Sequence, residues 1–200
     1  MSKTITLSGA PGTAAIYGKA VAAMLPVVGK PATVSPTATV PDTRYRLADV
    51  RADPDALQAY CGAPGQRFPP TLPLTYLFVL QFPLAMKIMT AGEFPFGAVG
   101  SVHISNTIER KREIGVGEPL TITTHAENLR EHRKGLLIDM ISEFTVGSEV
   151  VAVQTATFLK QQRTSLSDEP RGPAPTASAP PPPDAVLTVD LGRIRDYAAA

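Results

Sequence analysis

Four consecutive stretches between Ser101 and Gln161 alternate apolar and polar residues, and each is long enough to cross a whole sheet. Ser101–Arg112 sets Val102, Ile104 and Ile108 against His103, Ser105, Thr107 and Glu109. Pro119–Asn128 sets Leu120, Ile122 and Ala126 against Thr121, Thr123, His125 and Glu127. Leu136–Val146 sets Leu136, Ile138, Met140 and Phe144 against Asp139, Glu143 and Thr145, and Glu149–Gln161 is β-branched through its first half. Successive side chains of a strand point to opposite faces, so the pattern describes strands with one buried face. Gly147-Ser148 is a two-residue hairpin signal, Lys134-Gly135 a turn, and Gly115–Pro119 joins the first two strands. Such a meander needs a cover for its apolar face. Pro83–Thr90 supplies it: Leu84, Met86, Ile88 and Met89 leave Lys87 as its one strongly polar residue, and Gly92 ends it. The fold class that follows is α+β, a long antiparallel sheet packed on one buried helix.

The flanking sequence is organised around prolines and a short repeat. Residues 53–61 read as a helix capped by Asp53 with Pro54 at its first position, where a missing N–H costs nothing. Phe68–Phe82, with Pro69, Pro70 and Pro73, reads as extended and irregular. Residues 170–184 (PRGPAPTASAPPPPD) form a stiff polyproline spacer. Beyond it, residues 187–200 repeat residues 50–63 without gaps: Asp190 falls on Asp53, Ile194 on Leu57, Tyr197 on Tyr60 and Ala200 on Ala63. The expected organisation is an arm at 1–44 with a short Ala-rich helix at Thr13–Leu25, a folded domain at 45–165, a linker at 166–185, and the first turns of a second domain at 186–200.

Composition excludes several classes. With 19 basic and 18 acidic residues there is no nucleic-acid surface, and Arg110, Lys111 and Arg112 are answered by Glu109 and Glu113. The single cysteine, Cys61, excludes an internal disulfide and suits a reducing compartment. Ala20–Gly29 is too short to span a bilayer, is broken by Pro26, and is followed by Lys30 without a small-x-small cleavage site, so a cytoplasmic protein is expected.

Few residues carry chemistry. His125 and His132 lie seven apart with a turn near them and do not form a metal pair, so no metal is expected. His103 reads as a solvated residue on the polar face of its strand. Glu93, just past the buried helix, is an acid at a helix end whose simplest role is a surface charge. Ser8–Gly12 has the composition of a nucleotide loop but lacks the Gly-Lys-Ser/Thr that would follow, and reads as a flexible end.

The segments PLTYLFVLQFPLAMKIM (73–89), FPF (94–96), HAENLREHRKGLLIDM (125–140) and FLKQQRTSLS (158–167), followed by the linker and RIRDYAAA (193–200), resemble the amino-terminal half of a double-hot-dog MaoC-like dehydratase, of the (R)-3-hydroxyacyl-thioester dehydratase and hydratase group. The resemblance covers about residues 45–200 and implies a hot-dog fold, a sheet wrapped around one helix. In that family the second hot dog carries a catalytic Asp and His, in Ser/Thr-Gly-Asp-x-Asn-Pro-x-His after a helix ending Tyr-Ala. Here Tyr60 is followed by CGAPGQRFPPTLPL, with neither residue, so no catalytic residue is assigned to this chain. The resemblance further implies an acyl-coenzyme A or acyl-carrier-protein substrate, fatty-acyl metabolism, no cofactor, and a second hot-dog unit as partner, on the same protein, on a separate chain or in a homodimer. Met86, Met89, Phe94 and Phe96 are the candidates to line an acyl pocket, since flexible apolar side chains suit long tails. Two other readings stand beside it: a non-enzymatic acyl-binding or heterodimer partner, and an acyl thioesterase using Glu93.

Overall fold

The computed structural model describes residues 3–11, 33–98, 100–169, 182–183, 186 and 188–199, the last four by backbone alone. The Ala-rich helix expected at Thr13–Leu25 and most of the proline-rich linker lie outside the described residues. Strands β1 (Lys3–Leu7), β2 (Thr43–Val50), β3 (Ser101–Arg110), β4 (Leu120–His132), β5 (Gly135–Val146) and β6 (Glu149–Gln161) form one sheet in the order β1-β2-β4-β5-β6-β3. Helices α1 (Pro54–Gly62) and α2 (Tyr76–Met89) lie between β2 and β3 in sequence, and α3 (Leu191–Ala199) follows the linker. α2 packs on the inner face against β2 and β4. This is the hot-dog arrangement.

Alternation is obeyed where the strands are central. Leu120, Ile122, Leu136, Ile138, Met140 and Phe144 are all buried beneath α2 in one core with Leu77, Leu84 and Ile88. Burying one such side chain contributes roughly 1.5–3 kcal/mol, so this layer is the main source of stability. The turn expected at residues 134–135 is an obligate one. Gly135 has φ +151°, and a Cβ there would stand 1.8 Å from the Lys160 carbonyl oxygen, so only glycine lets β5 approach β6.

Four expectations need correction. First, α2 begins at Tyr76 rather than at Pro83, so most of the second half of Phe68–Phe82 is helical. Pro83 removes the N–H that would bond the Val79 carbonyl, but Val79 is 36% exposed and faces the open side, while Leu77, Gln81, Leu84 and Ile88 keep the helical period against the sheet. Packing outweighs the local break. Second, the amino-terminal arm contains a strand that the sequence reading did not assign: Lys3–Leu7 pairs in parallel with β2, Ile5 opposite Tyr45. Third, β3 does not present one apolar face. A bulge between His103 and Ser105 sets Ile108 opposite Gln154 on the inner face but leaves Val102 and Ile104 each 44% exposed. Fourth, His103 is exposed as expected but not on the polar face: the same bulge puts it directly opposite Phe158, where its ring is stacked between Phe158 and Phe78 with centroids at 5.0 and 4.7 Å.

The repeat read from the sequence has a structural counterpart. Asp53 Oδ1 accepts from Ala56 N at 2.8 Å, and Asp190 Oδ1 accepts from Arg193 N at 2.8 Å, so α1 and α3 start with the same cap. α3 lies against α1, tied by Arg193 Nε to the Ala63 carbonyl at 2.6 Å, while Leu191 and Ile194 remain exposed.

Candidate functional site

The amino end of α2 is where a hot-dog helix can meet a thioester, because first-turn N–H groups point outward there. In this chain that end is closed. Tyr76 N donates to the Pro73 carbonyl at 2.9 Å, Leu77 N to Leu74 at 3.4 Å and Phe78 N to Thr75 at 3.2 Å. Thr75 makes no cap; its hydroxyl lies 2.7 Å from the Tyr60 hydroxyl, and the Tyr60 and Tyr76 rings meet edge-on at 5.1 Å. Burial pushes the Tyr76 phenol pKa up, with Asp53, Cys61 and Tyr60 adding in the same direction. Cys61 is buried and its thiol pKa is likewise raised, so it is a packed side chain rather than a nucleophile. The connection from Cys61 to Thr75 brings neither a carboxylate nor an imidazole to this place.

Met86, Met89, Phe94 and Phe96 gather at the other end of α2. They are 8%, 2%, 1% and 0% exposed, and the two phenylalanine rings meet edge-on at 5.1 Å. Glu93 stands exposed beside them, with its charge felt by Tyr45, whose phenol pKa is raised first by burial and then by Glu93.

The histidines are apart. His125 Nδ1 is 3.3 Å from Arg44 and its Nε2 3.0 Å from Glu127, whereas His132 Nδ1 accepts from Lys134 N at 3.2 Å in the β4–β5 turn. No cluster of three ligating side chains occurs among the described residues. His132, Arg133, Lys134 and Ser167 line a surface pocket of about 350 Å3. No helix among the described residues is long and apolar enough to cross a membrane.

One polar cluster went unread in the sequence. Asp139, on the outer face of β5, is 6% exposed and accepts from Thr157 Oγ1 at 2.7 Å, Asn128 Nδ2 at 2.7 Å and Arg130 at 2.8 and 3.2 Å. Asn128 has φ +59° in a bulge of β4, and that bulge aims both Asn128 and Arg130 at one carboxylate. Burial by itself would raise the Asp139 pKa, but the bonds from Thr157, Arg130 and Asn128 outweigh it and hold the group below its ordinary value. A carboxylate so saturated has no free lone pair for proton transfer.

No family model matches the chain. It is 41% identical, over 181 residues, to 3-hydroxyacyl-thioester dehydratase X of Mycobacterium tuberculosis, a match covering 90% of this chain and 62% of that protein. A crystal structure of HtdX from the same organism superposes with a TM-score of 0.67 at 43% identity, covering 80% of this chain and 62% of that one. The chain is a homologue of that dehydratase. It spans less than two thirds of the length of the curated relative it matches. A MaoC-like dehydratase from Phytophthora capsici shares the fold, with a TM-score of 0.59 at 16% identity over 82% of this chain and 63% of that one.

Two of the segments on which the resemblance rests, 125–140 and 158–167, meet in space. The first contributes Asn128, Arg130 and Asp139. The second folds back over the β4–β5 turn: Thr164 Oγ1 donates to the His132 carbonyl at 2.8 Å, Ser165 Oγ to Glu131 at 2.7 Å and Ser167 Oγ to the Arg133 carbonyl at 3.1 Å. Their shared role is to lock the long hairpin. The signal available in sequence was an Asn in mid-strand, a residue enriched at left-handed positions.

Proposed function

We propose that this chain is the non-catalytic, substrate-shaping hot-dog unit of a (R)-3-hydroxyacyl-thioester dehydratase or hydratase acting on fatty-acyl thioesters of coenzyme A or acyl-carrier protein. Dehydration removes a proton α to the thioester carbonyl and expels hydroxide from the β carbon. Both steps need an acid and a base within hydrogen-bond reach of the substrate, and the developing enolate oxygen needs fixed donors. The observation that carries the reading is the amino end of α2, to which the connection from Cys61 to Thr75 brings no Asp or His and where the first-turn amides are already bonded to Pro73, Leu74 and Thr75. A second hot-dog unit supplies the acid–base pair. The exposed Val102 and Ile104 on edge strand β3, with Leu74 and Val79 near the start of α2, support such a mate, because an apolar sheet edge left open invites pairing.

The test is hydration of crotonyl-coenzyme A, followed by loss of the conjugated enoyl absorbance. The purified chain is expected to give no turnover above background. Turnover that persists through a further purification step overturns the assignment. For the acyl pocket, Met89→Trp is expected to weaken binding of a long acyl-coenzyme A more than a short one. Equal loss for both assigns Met86, Met89, Phe94 and Phe96 to the core instead.

A further inference from the structure

Beneath α2 the inner face of the sheet carries one line of polar side chains. Thr124 on β4 stands directly across from Ser142 on β5, and Ser142 directly across from Gln154 on β6. All three are fully buried, as is Gln81 of α2. Ser142 is the hub: its hydroxyl lies 2.9 Å from Thr124 Oγ1 and donates to Gln81 Oε1 at 3.3 Å. There the hydrogen bonding stops. Among the described residues, Gln81 Nε2, Gln154 Nε2 and Gln154 Oε1 have no partner. Leaving a buried polar atom unmated costs the full loss of its hydration, whereas leucine at either position would avoid that cost. Three orphans on two side chains that flank one serine therefore point to a ligand atom.

The neighbouring side chains along β6 are small, and the sheet edge is one strand away. The same-face neighbours of Gln154 on β6 are Ala152 and Ala156, so nothing bulky stands on either side of its carboxamide along the strand. Across from it on β3 is Ile108, only half-buried, and the same face of that edge strand continues through exposed Asn106 and Arg110. Gln154 is thus one strand in from the open edge.

The number of orphans selects the chemistry. Two amide nitrogens, each an NH2, have no acceptor, and one carbonyl oxygen has no donor; at least one partner for each of the three atoms is needed. A hydroxyl has two lone pairs and one hydrogen, and answers all three. A keto oxygen leaves Gln154 Oε1 unmated; a carboxylate or phosphate does the same and adds a buried charge. We propose that Gln81 and Gln154, with Ser142 and Thr124 behind them, form a binding site for a single hydroxyl carried along an otherwise apolar acyl tail. The proposal rests on the acyl-thioester reading above. It adds a second oxygen to the substrate, distinct from the one a dehydratase expels, which must lie at the acid–base pair.

The experiment is calorimetric binding of the 200-residue chain to hexadecanoyl-coenzyme A and to a series of its derivatives hydroxylated once at successive carbons. One position in the series is expected to bind about tenfold tighter than the plain thioester, the gain of hydrogen bonds made in a dry site. Gln154→Leu and Gln81→Leu are expected to lose that gain while keeping the plain affinity, with thermal unfolding at or above that of the unaltered chain showing that both fold. If every hydroxylated thioester binds like the plain one, the site takes water only and the proposal falls, while the acyl reading stands. If neither plain nor hydroxylated thioester binds, the acyl reading falls and the proposal with it.

Discussion

Asp139 and Gln154 sit on adjacent strands, on opposite faces of the same sheet, and both are buried. Asp139 on the outer face accepts hydrogen bonds from three side chains, and its charge is answered by Arg130. Gln154 on the inner face has no partner for either end of its carboxamide among the described residues. A folded chain tolerates buried polarity in two ways. It closes the group with its own donors, which turns the group into a structural tie, or it leaves the group open, which costs stability and is retained for something outside the chain. The contrast separates the tie from the candidate binding site without reference to what either residue is.

The strongest way to break the comparison is Asp139→Ala. Removing the carboxylate leaves buried Thr157 without its acceptor, while Arg130 and Asn128 can turn to water, so the cost is about 2 kcal/mol. Urea unfolding that shows less than about 1 kcal/mol of loss would mean the cluster is not the tie described. The pH dependence has a definite sign. Because the folded-state pKa of Asp139 lies below its ordinary value, its contribution is complete above about pH 4 and is lost as pH falls further; the alanine variant lacks this acid-side decline.

Gln154→Leu tests the other member. Replacing an unmated carboxamide with an apolar side chain of similar size should leave stability unchanged or raise it by up to about 2 kcal/mol. A measured loss in the same urea titration would show that Gln154 is paired in solution and would erase the contrast.

The smallest effect belongs to His103, between the two extremes. Its ring is stacked on Phe78 and Phe158, and burial there lowers its pKa against an opposing hydrogen bond with the Ser105 backbone. A base with a lowered folded-state pKa binds fewer protons folded than unfolded. Stability is therefore complete above about pH 6.5 and declines as pH falls through the ordinary histidine value. Melting temperatures at pH 7 and pH 5 should differ less for His103→Gln than for the unaltered chain.

Much of this was legible residue by residue. Each of the four expected strands matches an observed one within a few residues, and period-two burial holds best in β4 and β5, which have a neighbour on both sides. Legibility failed at irregularities. Prolines 69, 70, 73 and 83 announce local breaks, and nothing local reveals that burial of Leu77 and Leu84 carries a helix across one of them. The alternation of Val102, Ile104 and Ile108 is real in sequence, yet the bulge before Ser105 divides it between two faces. The strand at Lys3–Leu7 is five residues long, and its parallel partner lies some forty residues away, which a local pattern cannot announce.

From its sequence by itself this chain determined that it would build an antiparallel sheet with one apolar face, cap two helices with Asp53 and Asp190, and carry no Asp or His between Cys61 and Thr75. These are properties of neighbouring residues, governed by propensity, periodicity and the presence or absence of a side chain. Only the tertiary structure decided which polar residues meet. Thr124 reaches Ser142 and Thr157 reaches Asp139 across eighteen positions each, and Gln81 meets Ser142 across sixty-one. Those meetings depend on register and bulges, which are settled by packing summed over the whole sheet, and a shift of one residue would send every one of them to the other face.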